Sequence, residues 1–427
     1  MLNDPLTHGL WEQTAPPPPD TPRLGGDIAA EVAVIGAGYT GLSAALHLAG
    51  RGVDTALLEA VEIGFGGAGR NVGLVNAGMW VMPEALAGTL GPEMGARLIG
   101  FLGEAPALVW DIVNRHAIAC EAQPVGTLHA AFGRAGRAEI AERARQWQAR
   151  GAPVELLDKT EAAAMLGTTH FEGALLDRRA GTIQPLAYAR GLARAAQGLG
   201  ARIFTASPAT GLESAATGWR IRTPDGSLTA RHVVFATDAY TRHLMPDIAR
   251  QQVPLPYFNL ATPPLPDDVA HTILPGRQGA WDTRQVLTSF RLDAANRLVF
   301  GSVGALRNGG LAVHRAWAGR AIGRIFPQIG TPRFEAGWHG RIGMTSDNLP
   351  RFHRLEDGVF AICGYNGRGI APGTAFGAAL AALLTGDLPE ARMPLPLTRP
   401  APAALRALRG ALIEAGAQLA HLAGARI

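Results

Sequence analysis

The sequence predicts an α/β fold in which a Rossmann-like dinucleotide-binding domain is joined to a second domain built on an antiparallel sheet. Three observations predict it. A short apolar run at 31–35 leads straight into Gly36, Gly38 and Gly41 at G-x-G-x-x-G spacing. A helix-periodic stretch and a second apolar run, 55–58, follow and end in Glu59, about 20 residues on, which completes a βαβ unit. Far downstream, the alternating runs 286–292 and 297–302 flank Asp293, Ala294, Ala295 and Asn296, the pattern of an antiparallel hairpin.

The βαβ unit has a physical reading residue by residue. Gly36 permits the tight turn, Gly38 lets the backbone approach a pyrophosphate, and Gly41 lets the helix pack on the strand. Leu42, Ala45, Leu46 and Ala49 carry the helix, and Gly50 and Gly52 stop it. Its N-terminus offers free N–H groups and the positive end of a dipole to phosphate. Glu59 is placed to accept both hydroxyls of an adenosine ribose. The unit by itself leaves FAD and NAD open.

The remaining elements follow in order. Residues 1–30, with four prolines at 16–19, read as an extended surface arm. Residues 62–78 are glycine-dense and read as a loop wrapping a ligand. Helices are expected over 83–117, 135–150, 159–166, 185–198, 312–326 and about 373–385. Strands are expected at 125–132, 173–176 and 202–205, and as a hairpin over 219–232 with its turn at Pro224, Asp225 and Gly226. Beyond 335 the chain reads as glycine-rich loops. The tail 402–424 is amphipathic, with Leu405, Leu408, Leu412, Leu419 and Leu422, and suits a packing helix or a membrane-surface or partner helix.

Composition excludes several classes. At 427 residues, with 47% hydrophobic and 17% charged residues, the chain can bury a large core in two domains. The net charge is only +4, and no basic block alternates with aromatics, so no nucleic-acid partner is expected. Lys159 is the sole lysine; the other basic residues are arginines. Two cysteines, Cys120 and Cys363, make no disulfide framework and suit a reducing cytoplasm. The N-terminal MLNDPLTHGLWEQ has no basic region before an apolar core, and no apolar run is long enough to span a membrane. The histidines show no metal-ligand spacing, and no G-x-S-x-G elbow supports hydrolysis.

Two further stretches carry chemistry. The loop at 64–76 follows the second strand of the βαβ unit directly. Its glycines, Gly64, Gly66, Gly67, Gly69 and Gly73, suit a backbone passing close to a flat ring, with Arg70 and Asn71 as its polar groups. The stretch GYNGRGIAPG at 364–373 combines small residues with a helix start, whose dipole would stabilise negative charge on a ring beside it.

Together, VIGAGYTGLSAALHL, LLEA, IGFGGAGRN, ATDAY at 236–240 and GYNGRG at 364–369 resemble the D-amino acid oxidase/glycine oxidase-like family of FAD-dependent oxidoreductases. Within it the chain looks most like the γ-glutamylputrescine oxidase-type amine oxidoreductases. The resemblance runs over about 31–385.

It implies an FAD domain of the glutathione reductase type, made of 1–100, 155–244 and 335–427. It also implies a discontinuous α+β substrate domain from 101–154 and 245–334. By position, the cofactor-binding residues are Gly36, Gly38, Tyr39, Thr40, Gly41, Glu59 and Ala60 on the nucleotide side. Gly67, Ala68, Gly69, Arg70, Asn71, Gly73 and Leu74 line the flavin. Ala209 contacts the adenine side, Ala236 and Thr237 close over the pyrophosphate, and Gly343, Asp347, Gly367, Arg368, Gly369 and Ile370 complete the set.

The departures are informative. Many relatives have histidine where this chain has Arg368. A carboxylate-binding lysine of the sarcosine oxidase branch falls at Ala371, and the cysteine that tethers FAD in some of that branch is missing from 340–343. FAD is therefore expected to be non-covalent. Arg70, Asn71, Trp80, Arg291, Trp338 and Tyr365 are the substrate-pocket candidates, and no metal and no dedicated catalytic base are expected.

The implied activity is oxidation of a C–N bond in a small amine or amino acid, with oxygen, a quinone or another carrier as electron acceptor. Two alternatives stand beside it. One is an NAD-linked dehydrogenase; the other is a flavin-binding electron-relay subunit without its own substrate.

Overall fold

The structure is a computed structural model that describes residues 7–241 and 244–424. Two large sheets organise it. The first has nine strands and is built on the βαβ unit. Gly26–Ile35 lies parallel to both Thr55–Leu58 and Gly226–Phe235; Thr55–Leu58 continues parallel to Arg202–Phe204, and Gly226–Phe235 to Val359–Cys363. Thr55–Leu58 and Val359–Cys363 are buried at every residue, as strands covered on both faces must be. The expected hairpin forms as Gly218–Thr223 against Gly226–Phe235.

The second sheet has eight strands, in the order 336–344, 253–261, 298–303, 288–292, 279–282, 127–130, 174–177, 154–157. All its neighbours are antiparallel except 127–130 and 279–282. The hairpin expected around Asp293 to Asn296 is Thr288–Leu292 with Leu298–Val303. A core of Phe258, Phe290, Phe300, Trp317 and Phe326 packs one face of this sheet against the helix Gly309–Ile325.

Several expectations change. The strand Ala336–Met344, AGWHGRIGM, lies where loops were expected; its three glycines hid it, although it pairs with Val253–Ala261 along its whole length. Strands 154–157, 174–177 and 336–344 join the second sheet, although 155–244 and the chain from 335 were assigned to the FAD domain. The helix expected over 83–117 is two, Pro83–Leu90 and Pro92–Arg115, separated by Gly91 at φ 81°. The N-terminal arm is not simply extended on the surface. Residues 10–14 form a short helix whose Leu10 and Trp11 are fully buried, and the Trp11 indole N–H donates to the Asn71 carbonyl at 2.9 Å. Residues 1–6 of the arm lie outside the described residues.

Helix Tyr39–Ala49 packs against Ile370–Leu384 closely enough that a Cβ on Gly377 would come within 2.5 Å of the Thr40 carbonyl. The two helices therefore start side by side, and their first residues face one cavity.

Candidate active site

The cavity holds about 1060 Å³ and runs from the end of the first sheet to the second. At one end lie Gly36, Gly38, Glu59, Ala60, Ala209, Ala236 and Thr237. Gly36 has φ 107°, and a Cβ there would meet the Ala236 carbonyl oxygen at 3.0 Å. A Cβ on Gly41 would lie 2.0 Å from the Gly36 carbonyl oxygen, so this glycine serves helix–strand packing, and it does not line the cavity. Gly38 differs: the nearest protein atom to a Cβ there would be 3.9 Å away. The space beside it is open, which is what backbone approach by a phosphate requires.

Glu59 closes this end. Its Oε2 accepts the Ala37 N–H at 2.8 Å and its Oε1 the Val61 N–H at 3.0 Å. Burial raises the carboxyl pKa, and these backbone donors oppose the rise. Each oxygen keeps a second lone-pair direction, enough to accept from a pair of ribose hydroxyls.

The glycine loop forms the middle wall. Asn71 staples it: its Nδ2 donates to the Gly67 carbonyl (2.9 Å), the Ala68 carbonyl (3.0 Å) and the Tyr39 hydroxyl (3.0 Å), while its Oδ1 accepts the Gly73 N–H (2.8 Å). Arg70 is buried, with its guanidinium 4.5 Å from the Phe65 ring centre and bonded to the Phe65 and Thr7 carbonyls. Gly67, Ala68, Arg70, Asn71 and Leu74 line the cavity. Gly69 and Gly73 stand behind it, where a Cβ would strike the Gly64 carbonyl oxygen at 2.5 Å and the Ile183 carbonyl oxygen at 2.1 Å.

Opposite, Tyr39, Thr40 and Tyr365 line the wall, and the Tyr365 hydroxyl shares a 2.6 Å hydrogen bond with Thr40 Oγ1. Gly367, Arg368, Gly369 and Ile370 follow at the second helix start. Asp238 pins this loop by accepting the Gly364 N–H at 2.7 Å, and burial pushes its pKa up to about 6.

The far end is a chamber between Trp80 and Trp281, completed by His129, Glu139, Tyr257, Arg284 and Ser289. The Arg368 guanidinium sits 4.6 Å from the Trp80 ring centre and 5.3 Å from that of Trp281. Its Nη1 donates to the Ala77 carbonyl at 3.0 Å, and no acid among the described residues pairs with it. Burial pushes its pKa down to about 9, which still leaves it charged at neutral pH. Asp282 is saturated by Arg284 and Thr288, and burial holds His129 neutral.

Besides Gly41, Gly69 and Gly73, four more of the site residues expected from the sequence lie away from the cavity. Arg291 is fully buried behind the glycine loop, held by the Ile183 and Leu292 carbonyls and by Glu121 at 3.4 Å. Trp338 is fully buried edge-on to Trp11, 5.4 Å between ring centres, and donates to the Arg70 carbonyl at 3.1 Å. It supports the loop from beneath rather than facing the pocket. Gly343 is filled around by Gln252 and Asp238, and Asp347 pairs with Arg351 at 2.8 Å; neither lines the cavity, whereas Gly340 and Asn348 do. Sequence reasoning missed Asp238, Tyr257 and Trp281 as site residues. Asp238 stands inside the ATDAY segment; the other two are brought in by the second sheet. His8, Glu12 and Glu62 come together on the surface side of the glycine loop, but His8 is already hydrogen-bonded to Glu12 and to the Gly64 carbonyl.

Residues 31–383 match the DAO family, described as FAD dependent oxidoreductase. The chain belongs to the DAO family of FAD-dependent oxidoreductases. Its cofactor is accordingly FAD, which resolves the FAD–NAD ambiguity of the βαβ unit. Among relatives of this DAO-family chain, the γ-glutamylputrescine oxidoreductase of Escherichia coli K12 is 32% identical over 370 residues, 85% of each chain. Among solved structures, glycine oxidase from Geobacillus kaustophilus superposes with a TM-score of 0.68 at 22% identity, covering 84% of this chain and 95% of that one. An L-amino acid deaminase from Proteus myxofaciens, in complex with anthranilate, gives 0.71 at 15% identity, covering 88% and 94%. These two likenesses are of fold. In this DAO-family chain, no described helix is long and apolar enough to cross a membrane.

Proposed function

We propose that the protein oxidises the C–N bond of a small amine or amino acid to an imine. The observation that carries this reading is the continuity of the cavity. A nucleotide cradle at Glu59 and Gly38 opens, past the glycine loop, into a chamber walled by Trp80, Trp281 and Arg368. Family membership and the relative named for γ-glutamylputrescine support it. The chemistry FAD supplies when bound is acceptance of a hydride, at its N5, from the carbon beside a neutral amine, after which water hydrolyses the imine.

The chain's own residues have assigned tasks. Glu59 holds the ribose, and the N-termini of the helices starting at Tyr39 and Ile370 face anionic groups. Asn71 and Asp238 keep the two walls of the central section rigid. Trp80 and Trp281 exclude water from the chamber and hold the Arg368 guanidinium against their rings, with Trp281 also stacked on His129. Glu139, which lines the cavity while paired with Arg143 at 3.6 Å, is an acidic group there that could attract a protonated amine before it loses its proton. Arg70, buried against Phe65, braces the glycine loop at the cofactor side. The first sheet with its helices makes up the FAD domain in this reading, and the second sheet the substrate domain. Oxygen or a quinone-type carrier takes the electrons, and the free, buried cysteines suit a cytoplasmic setting.

The deciding experiment is anaerobic mixing of the yellow holoenzyme with a panel of amines and amino acids. Loss of the flavin band at about 450 nm with one substrate class is the expected result. A flavin left oxidised by every member would favour an electron-relay subunit.

A further inference from the structure

The helix Arg406–Ala423 is mounted with its leucines facing outward. Leu405, Leu408, Leu412, Leu419 and Leu422 are 71%, 53%, 61%, 66% and 41% exposed, and they are half of the ten exposed large hydrophobics among the described residues. An ordinary surface helix turns its apolar stripe inward. Here the inward face is held by polar and small groups. The His421 ring stacks on Trp317 at 3.7 Å and is hydrogen-bonded to His314 at 2.8 Å. Glu414 pairs with Arg307 at 2.5 Å, and Arg406 donates to the Gln252 carbonyl at 2.7 Å. These contacts fix the helix's rotation, so the leucines are outward by construction.

The stripe is regular. Leu408, Leu412, Ala415, Leu419 and Leu422 are spaced alternately four and three residues apart, the a/d repeat of a coiled-coil seam, and Leu405, the N-cap at φ 51°, stands three residues before Leu408 at the seam's end. Positions beside the seam are mostly small, Ala411, Gly416 and Ala423, which lets a second helix approach closely. Arg409 is the one exposed charge between residues 405 and 424. The segment has no lysine, tryptophan or phenylalanine, and its two arginines, Arg406 and Arg409, fall short of the basic polar face and aromatics of a membrane-surface helix. It also lies beyond the residues matched by the family, 31–383.

We propose that this face pairs with the same face of a second copy of the chain, as an antiparallel two-helix seam on a two-fold axis. The face is self-complementary in that direction. Leu405 of one copy meets Leu422 of the other, Leu408 meets Leu419, and Leu412 meets Ala415, so every layer joins an a position to a d position. Antiparallel pairing sets the two Arg409 side chains at opposite ends of the seam, whereas parallel pairing would place them level with each other. It also opposes the two helix dipoles favourably. At 18 residues the helix is about 27 Å long, which makes the interface small and the dimer reversible.

The test is sedimentation of the FAD-loaded full chain, wild type beside the double variant Leu412→Glu and Leu419→Glu. Both positions are exposed, so the fold and FAD content stay as in wild type. The wild type is expected to shift from monomer to dimer over about 1–100 μM, and the double variant to remain monomeric throughout. A wild type still monomeric at about 200 μM, or a variant that dimerises equally, overturns the proposal. Binding of a monomeric wild type to anionic phosphatidylserine vesicles, lost in the variant, overturns it in favour of a lipid surface.

Direction is read by oxidation. The paired variant Leu412→Cys, Ala415→Cys should cross-link efficiently while Leu412→Cys alone does not; cross-linking by the single variant would overturn the antiparallel register. The native cysteines, both buried, do not interfere.

Discussion

The Arg368 guanidinium lies near the Trp80 ring, 4.6 Å from its centre, with no acid among the described residues to neutralise it. A buried cation without a carboxylate is costly to hold. It is compensated once an anion enters the cavity, and the loop carrying it, Gly367 to Gly369, faces that cavity. We predict that Arg368→Ala lowers the midpoint potential of bound FAD by about 30–60 mV, equivalent to ~1.4–2.8 kcal/mol for a two-electron couple. Reduction by substrate should slow in parallel. Because the substitution strands no paired acid, the variant should fold. Equilibration with a reference dye measures the shift; an unchanged potential would reduce Arg368 to a post between two indoles.

Glu59 gives a second prediction. Its oxygens already accept the Ala37 and Val61 amides, so the side chain arrives oriented. Glu59→Ala should raise the Kd for FAD by about tenfold or more, since a hydrogen bond to a charged group contributes ~1.5–3 kcal/mol. Ribose hydroxyls bind the ionised carboxylate, and burial raises the pKa of that group in the free protein. FAD binding therefore releases a proton, and affinity falls as pH drops through the raised pKa, sooner than an ordinary glutamate would allow. Glu59→Gln should flatten this pH dependence. Titration of apoprotein with FAD, followed by fluorescence quenching, checks both variants. The FAD should also leave with acid precipitation of the protein, because Cys363 is a buried thiol in a strand and no cysteine occupies 340–343.

Asp238 gives a third. Burial raises its pKa to about 6, above the range of an ordinary aspartate. Folding therefore disfavours its charge: the associated stability is present below the unfolded pKa and is lost as pH rises through about 6. Asp238→Asn keeps the oxygen that accepts the Gly364 N–H, and asparagine tolerates the φ of 40° found here. The apoprotein of this variant should melt higher than wild type at pH 8, by up to ~3 kcal/mol of stability, with the gain largely absent by about pH 3. Equal melting temperatures at pH 8 would mean the carboxylate is solvated after all.

What the sequence made legible was local. Gly36, Gly38, Gly41 and Glu59 fall within one βαβ unit, where spacing alone sets geometry. The two-strand pattern around Asp293 to Asn296 was readable for the same reason. Arg291 and Trp338 were misplaced because strand alternation tells which residues share a face but not what that face meets. Trp338 pairs with Asn259, a partner 79 positions away whose strand sequence gives no register signal. Trp11 was hidden by its context: a five-residue helix is too short to show a period, and the prolines after it suggested an exposed arm. The leucines of the C-terminal tail were recognised as one stripe, yet their direction was set by His421, Trp317 and Glu414, whose contacts are tertiary.

The last prediction concerns the electron acceptor. Oxygen reacts with a reduced flavin through a small anion, and a compact ammonium near the ring stabilises it better than a delocalised guanidinium does. The sole lysine, Lys159, is 55% exposed, starts the helix Lys159–Leu166, and is paired with Glu172 at 3.0 Å. It does not line the cavity. The cations that do line it are arginines, and of these Arg70 and Arg368 are already engaged with carbonyls and aromatic rings. Reduced enzyme should therefore reoxidise slowly in air-saturated buffer and faster with a soluble quinone. Placing an ammonium at the chamber by Arg368→Lys should raise the oxygen rate, by about tenfold if the gain is ~1.4 kcal/mol. Stopped-flow reoxidation of substrate-reduced enzyme measures all three rates. Wild-type reoxidation by oxygen that outpaces turnover, with stoichiometric peroxide, would make the protein an efficient oxidase and show that arginine suffices.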